Sequence, residues 1–199
     1  MKTIAVVATL AVCAGTAWAH PPGDGDTHEH PNIVRQNFDF AVIEQPFVPT
    51  RRMLHSTESA SGIVFHEFTL PPRTAGAPPH THAEDEEFFY VVRGSLDLMT
   101  GDEVTRLQEG GFAALLPGRA HMFWNASDAP VTAIMAAHGG HFEDFFDNVG
   151  AMLAEARLAS PEEAGPLIGR FAAERGITID FSLMPEEAAP YYDPPEAAE

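Results

Sequence analysis

Between Phe38 and His138, apolar runs rich in Val, Ile, Phe and Leu are cut again and again by turn-forming residues. The cuts fall at Pro71-Pro72, Gly76 with Pro78-Pro79, Gly94, Gly101-Asp102, Gly110-Gly111, Pro117-Gly118 and Ser127-Asp128-Ala129-Pro130. Runs this short, flanked by residues that cannot continue a helix, read as strands near 39–44, 63–70, 87–92, 95–99, 103–108, 112–116, 120–126 and 131–137. No helical period intervenes. The succession therefore predicts an all-β sandwich or barrel, because a parallel sheet would need a crossover helix between strands.

Beyond His138 the period lengthens from two to nearly four. Phe142, Phe145, Phe146, Val149, Met152 and Leu153 form a single apolar stripe, which predicts a helix to about Leu158 packed on the outside of the β core. Ser160-Pro161-Glu162-Glu163 has the form of a helix start. Gly165-Pro166 is expected to interrupt that second helix, and Gly176 to cap its end. The acidic, proline-rich stretch 184–199 is expected to be loose, and so is 20–36, with its Pro, Gly and His. The domain reading is thus a β unit over 37–140 and a helical extension over 141–183.

The first nineteen residues have a different character. Lys2, the apolar stretch Ile4 to Val12 and Ala17-Trp18-Ala19 have the layout of a secretory signal peptide, which predicts a periplasmic or secreted protein starting at His20. Past residue 19 the chain has neither Cys nor Lys, so thiol nucleophiles, disulfides, Schiff bases and phosphate-loop lysines are excluded. A formal charge of −18, with the arginines scattered, argues against nucleic acid and anionic membrane surfaces as partners. Histidines and carboxylates remain as the groups able to hold a metal and do chemistry.

His80-Thr81-His82 on an extended backbone directs both imidazoles to one face, where they can share an ion. Glu87 follows after an acidic turn, Glu84 to Glu86, read as solvated; a one-residue slip would put Glu86 in its place. His121 opens a later strand. Three imidazoles and one carboxylate suit a borderline divalent metal and leave a coordination position open. His66 is read as a hydrogen-bonded core histidine, and His55, His138 and His141 as structural. His20, His28 and His30 offer a second place for metal, although Pro21 lacks the amide proton of the usual N-terminal chelate.

The spacing resembles the two motifs of the cupin superfamily. His80-Thr81-His82, four residues, Glu87, six residues and Gly94 fit the first motif except for its leading glycine, displaced here to Gly76. Gly111, five residues, Pro117-Gly118, two residues, His121, three residues and Asn125 fit the second with one residue missing between Pro and Gly. The resemblance covers about 60–138. It implies a double-stranded β-helix, a jelly-roll barrel with a metal in its mouth and Phe65, Phe89 and Phe123 around the substrate.

The continuation from His138-Gly139-Gly140 into a helical extension resembles cupins of the quercetin dioxygenase type. What that implies is an exported dioxygenase acting with one divalent transition metal (Fe, Mn, Ni, Co, Cu or Zn) on a small aromatic or enolic compound. His80, His82, Glu87 and His121 would be its ligands and Glu87 its proton acceptor. By the same resemblance a homodimer is expected. A periplasmic cupin that binds metal or a small ligand without turnover accounts for the same residues.

Overall fold

Alternation of buried and exposed side chains governs the architecture. A computed structural model describes residues 32–43, 48–138, 141–156 and 163–192. The signal-like segment and His20, His28 and His30 lie outside the described residues. In chain order the strands are β1 (Ala41–Ile43), β2 (Thr50–Leu54), β3 (Val64–Leu70), β4 (Thr74–Ala75), β5 (His80–His82), β6 (Glu86–Arg93), β7 (Ser95–Thr100), β8 (Glu103–Gln108), β9 (Phe112–Leu115), β10 (His121–Asn125), β11 (Val131–His138) and β12 (Ile177–Ile179). They form two antiparallel sheets, ordered β1-β2-β3-β11-β6-β9 and β12-β5-β10-β7-β8, with the short β4 also on β10. This is the expected double-stranded β-helix, with helices α1 (His141–Ala156) and α2 (Ala164–Ala173) late in the chain.

The core lies between the sheets. On β3 the residues Val64, His66, Phe68 and Leu70 point inward, and on β6 Glu87, Phe89 and Val91 do so. Phe68, Phe89 and Phe123 form an aromatic cluster with centroids 5.2 to 5.9 Å apart, close to the spacing that edge and offset contacts favour. At Gly94, φ is +84° and an added Cβ would stand 2.7 Å from the Pro130 carbonyl oxygen, so the turn after β6 admits only glycine.

Four strands were not expected. β2 carries Arg51 and Arg52, charges that mask its strand character in the sequence. They are tolerated because Arg51 pairs with Glu67, and Arg52 with Asp147. β4, β5 and β12 are two or three residues long, too short to carry a pattern, and exist through pairing with β10 or with each other. β12 comes from the region read as a helical extension. It runs antiparallel to β5, with Ile177 opposite His82 and Ile179 opposite His80, so the extension completes the sheet that holds the histidine pair.

The helices also correct the sequence reading. Ser160 lies outside the described residues, and Gly165-Pro166 does not interrupt α2 but sits in its first turn, where the missing amide proton of Pro166 would have no helical acceptor anyway. Gly176 follows the helix at φ +70° and its N–H donates to the Ala173 carbonyl, as a terminating glycine should. The stretch 184–192 is not loose. Ala188 is fully buried with Met99, Met122 and Trp124 on the outer face of β10, and the Tyr192 hydroxyl donates to the Ala77 carbonyl at 2.6 Å. Its apolar and tyrosyl residues find a sheet face to cover, which the acidic, proline-rich composition conceals.

Candidate metal centre

Three imidazoles and one carboxylate converge at one end of the barrel. β5 supplies His80 and His82 on its interior face, β6 supplies Glu87 and β10 supplies His121, and all four side chains are buried. The register puts His121 directly opposite His80, so two strands bring their imidazoles together without any loop adjustment. Ring centroids are 4.2 Å apart for His80 and His121, 4.9 Å for His80 and His82, and 5.4 Å for His82 and His121. One potential ligand atom from each residue lies within 4.8 Å of all the others, a spacing that a single central ion can bridge.

Two of the three histidines are held through their other nitrogen. His80 Nδ1 donates to the Pro78 carbonyl at 2.8 Å and His121 Nδ1 to the Arg119 carbonyl at 3.0 Å. A carbonyl can only accept, so these bonds fix the rings and aim Nε2 at the common centre. His82 Nδ1 instead faces Asp85 Oδ2 at 3.4 Å. Asp85 is buried, contrary to the reading of residues 84–86 as a solvated turn; Glu84 alone of the three is exposed. The sequence signal for Asp85 was its place three residues after His82, where a tight turn folds it back under the ring. Gly118 adds backbone support, its N–H donating to the His82 carbonyl at 2.8 Å.

The charges within the cluster are uneven. Burial, with repulsion from His121 and His82, lowers His80 to about 3, so its ring is neutral as a metal ligand must be. Burial acts on His82 in the same direction, but Asp85 and Glu87 outweigh it and raise its pKa. For Glu87 burial pushes upward, yet the close contact with His121 and the positive potential of the surrounding imidazoles, His82 foremost, hold it at about 2, so it is a carboxylate at neutral pH. Glu87 Oε2 is 3.1 Å from His121 Nε2 and Oε1 is 3.5 Å from His82 Nε2. Neither His82 Nε2 nor Glu87 Oε1 has a hydrogen-bond partner although both are buried. Orphaned, inward-facing donor atoms of this kind are what a cation would satisfy.

Above the cluster opens a cavity of about 900 Å³. Its inner wall includes Phe68, Phe123 and Met135 from the barrel; its outer wall is built by Phe142, Phe145 and Phe146 of α1, by α2 and by Phe181 and Tyr192. Phe123 is therefore placed as expected from the sequence. Phe65 is not among the lining residues: alternation along β3 turns His66 and Phe68 inward and Phe65 to the opposite face. Phe89 does face inward, but it lies in the core beneath the cavity, against Phe68 and Phe123. The helices were expected outside the barrel; Phe142 of α1 instead joins the barrel core, and α1 forms part of the cavity wall.

His66 is fully buried beside Phe142 and Phe146, and neither ring nitrogen is hydrogen-bonded, unlike the bonded core histidine the sequence suggested. Burial, assisted by Arg52, lowers its pKa to about 4 from 6.5. The folded state thus resists a proton that the unfolded chain accepts, and stability falls as pH drops from 6.5 towards 4. The full contribution is about 3 kcal/mol. Denaturant melts between pH 7 and 4 are expected to show His66→Leu losing up to one proton's worth of that pH slope, and an unchanged slope would refute the assignment.

A family model described as "Cupin domain" matches residues 66–137. Among solved structures, a sugar phosphate isomerase from Silicibacter pomeroyi is 25% identical, covering 45% of this chain and 59% of its own, with a TM-score of 0.40. A polyketide cyclase from Streptomyces resistomycificus is 22% identical over 54% of this chain and 80% of its own, with a TM-score of 0.47. A DMSP lyase from Ruegeria pomeroyi is 23% identical over 41% and 40%, with a TM-score of 0.36. This chain thus spans about three-fifths of the isomerase's length and two-fifths of the lyase's. No curated protein matches the sequence.

Proposed function

On the match of residues 66–137 to the cupin domain model, we propose that the chain is an exported, mononuclear metal-dependent dioxygenase acting on a small aromatic or enolic compound. The observation that carries the reading is the convergence of His80, His82, Glu87 and His121, the first three of which line an apolar cavity. These four would hold one divalent transition ion. When bound, such an ion supplies Lewis acidity and, if redox-active, an electron path to dioxygen. Export rests on the signal-like segment 1–19.

The chain's own residues have separable tasks. His80 and His121, locked by carbonyl bonds, set the position of the centre. Glu87 is a buried carboxylate with one oxygen 3.1 Å from His121 Nε2 and the other 3.5 Å from His82 Nε2, and it is placed to accept the proton of a substrate hydroxyl brought beside it. Phe123 and the aromatic residues of α1 shut out water and supply ring contacts for an aromatic substrate.

Oxygen uptake by the purified, metal-loaded protein across a panel of flavonols and related enediols tests this reading. Glu87→Gln is expected to slow turnover by roughly a hundredfold or more while reducing metal affinity less, as loss of a general base does. Metal binding without oxygen uptake on any member of the panel would overturn the dioxygenase reading in favour of a cupin that captures a ligand without turnover.

A further inference from the structure

We propose that Gly165 and Gly169 of α2 form a specificity slot in the cavity wall, which takes the distal ring of an uncharged, apolar ligand whose polar end reaches the histidine–carboxylate cluster. The inference rests on the proposed function in that it treats this cavity as the substrate site. Gly165, Ile168 and Gly169 all line the cavity, and Ala172, at the next step of the same helical face, is buried against Phe145 and Ile177. The face is exposed at Gly165 and turns towards the interior from Ile168 to Ala172.

Two glycines in a ten-residue helix need a reason, because glycine is the least favourable helix residue after proline. Close packing is not that reason. A Cβ added at Gly165 or Gly169 meets nothing within 4 Å, whereas one at Gly76 would strike Phe123 at 2.4 Å. Neither α2 glycine has a left-handed φ, so backbone conformation does not demand them either. What they do is leave room in a wall otherwise made of aromatic and branched side chains.

The chemistry of the walls restricts what fits there. Glu87 Oε1 and His82 Nε2, buried 3.5 Å apart with no hydrogen bond to either, point to a polar or metal-bound group at the base. Among the described residues, the only arginine lining the cavity is Arg73, and it is mostly exposed and paired with Asp128 at 2.7 Å. An anionic group inside the cavity would therefore meet no free arginine among the described lining residues, and a flat apolar ring would meet Ile168, Phe145 and Phe146.

Titration of the full chain with N-phenyl-1-naphthylamine, an uncharged multi-ring fluorophore, and with catechol, a single ring, separates the slot from the base. Gly169→Leu is expected to weaken the naphthylamine at least tenfold, leaving catechol affinity, Co²⁺ stoichiometry and unfolding temperature unchanged or slightly higher. Gly165→Leu, at the exposed first turn of the helix, is expected to do the same and serves if the first variant unfolds. Equal naphthylamine affinity in wild type and variants, or none in the wild type, would overturn the slot. Failure of the wild type to take up Co²⁺ would overturn the metal-enzyme reading instead, while a tenfold loss of naphthylamine binding would still uphold the slot.

Discussion

His121→Ala is expected to abolish stoichiometric metal binding and to lower turnover by roughly a thousandfold or more, the largest functional loss of any single substitution in this chain. The reason is geometric. His121 is the only ligand from β10, and it faces His80 across a strand pair whose register sets the width of the site. Without it the remaining nitrogens come from a single short strand, and Glu87 loses the contact at 3.1 Å that positions Oε2. The rest of the fold is expected to survive, because the core between the sheets lies beneath the site. Metal analysis of purified protein, with circular dichroism to confirm folding, checks the expectation; a His121→Ala protein that keeps one ion per chain would remove His121 from the ligand set. Acid should work in the same direction, since His82, whose pKa is raised by Asp85 and Glu87, must give up its proton for a cation to bind.

Gly76→Ala is expected to destabilise the protein by about 3 kcal/mol or more, a fall in unfolding temperature on the order of 10 °C. The new Cβ would lie 2.4 Å from both the Phe123 ring and the Phe123 carbonyl oxygen. Neither can retreat: the ring is packed against Phe68 and Phe89, and the carbonyl already accepts the Gly76 N–H at 3.1 Å. The damage should reach the metal centre, because Gly76 leads into Ala77, whose carbonyl anchors Tyr192, and Pro78, whose carbonyl orients His80. Thermal unfolding of the alanine variant decides the point. A shift of less than about 2 °C would mean that the loop adapts and that the close approach is not needed.

The differing legibility of the parts has physical causes. Long strands such as β3, β6 and β11 were readable because one buried face imposes a period of two on the sequence itself. β5 and β12 were not. Their three residues extend because neighbouring strands offer hydrogen bonds, and no local pattern encodes a partner far along the chain. The four candidate ligands were legible since strand alternation and motif spacing specify which side chains share a face. Asp85, the carbonyls of Pro78 and Arg119, and the slot in α2 were invisible, being defined by what stands opposite them.

Local chemistry therefore determined the β class, the histidine pair and its carboxylate, and the start of α1, all of which depend on short-range periodicity and steric rules. Tertiary structure alone decided that α1 walls the cavity, that β12 braces the histidine strand, that residues 184–192 pack on β10, and that Phe68 and not Phe65 faces the cavity. These outcomes turn on register and on contacts between distant segments. There a shift of one residue exchanges the inside for the outside without changing the composition.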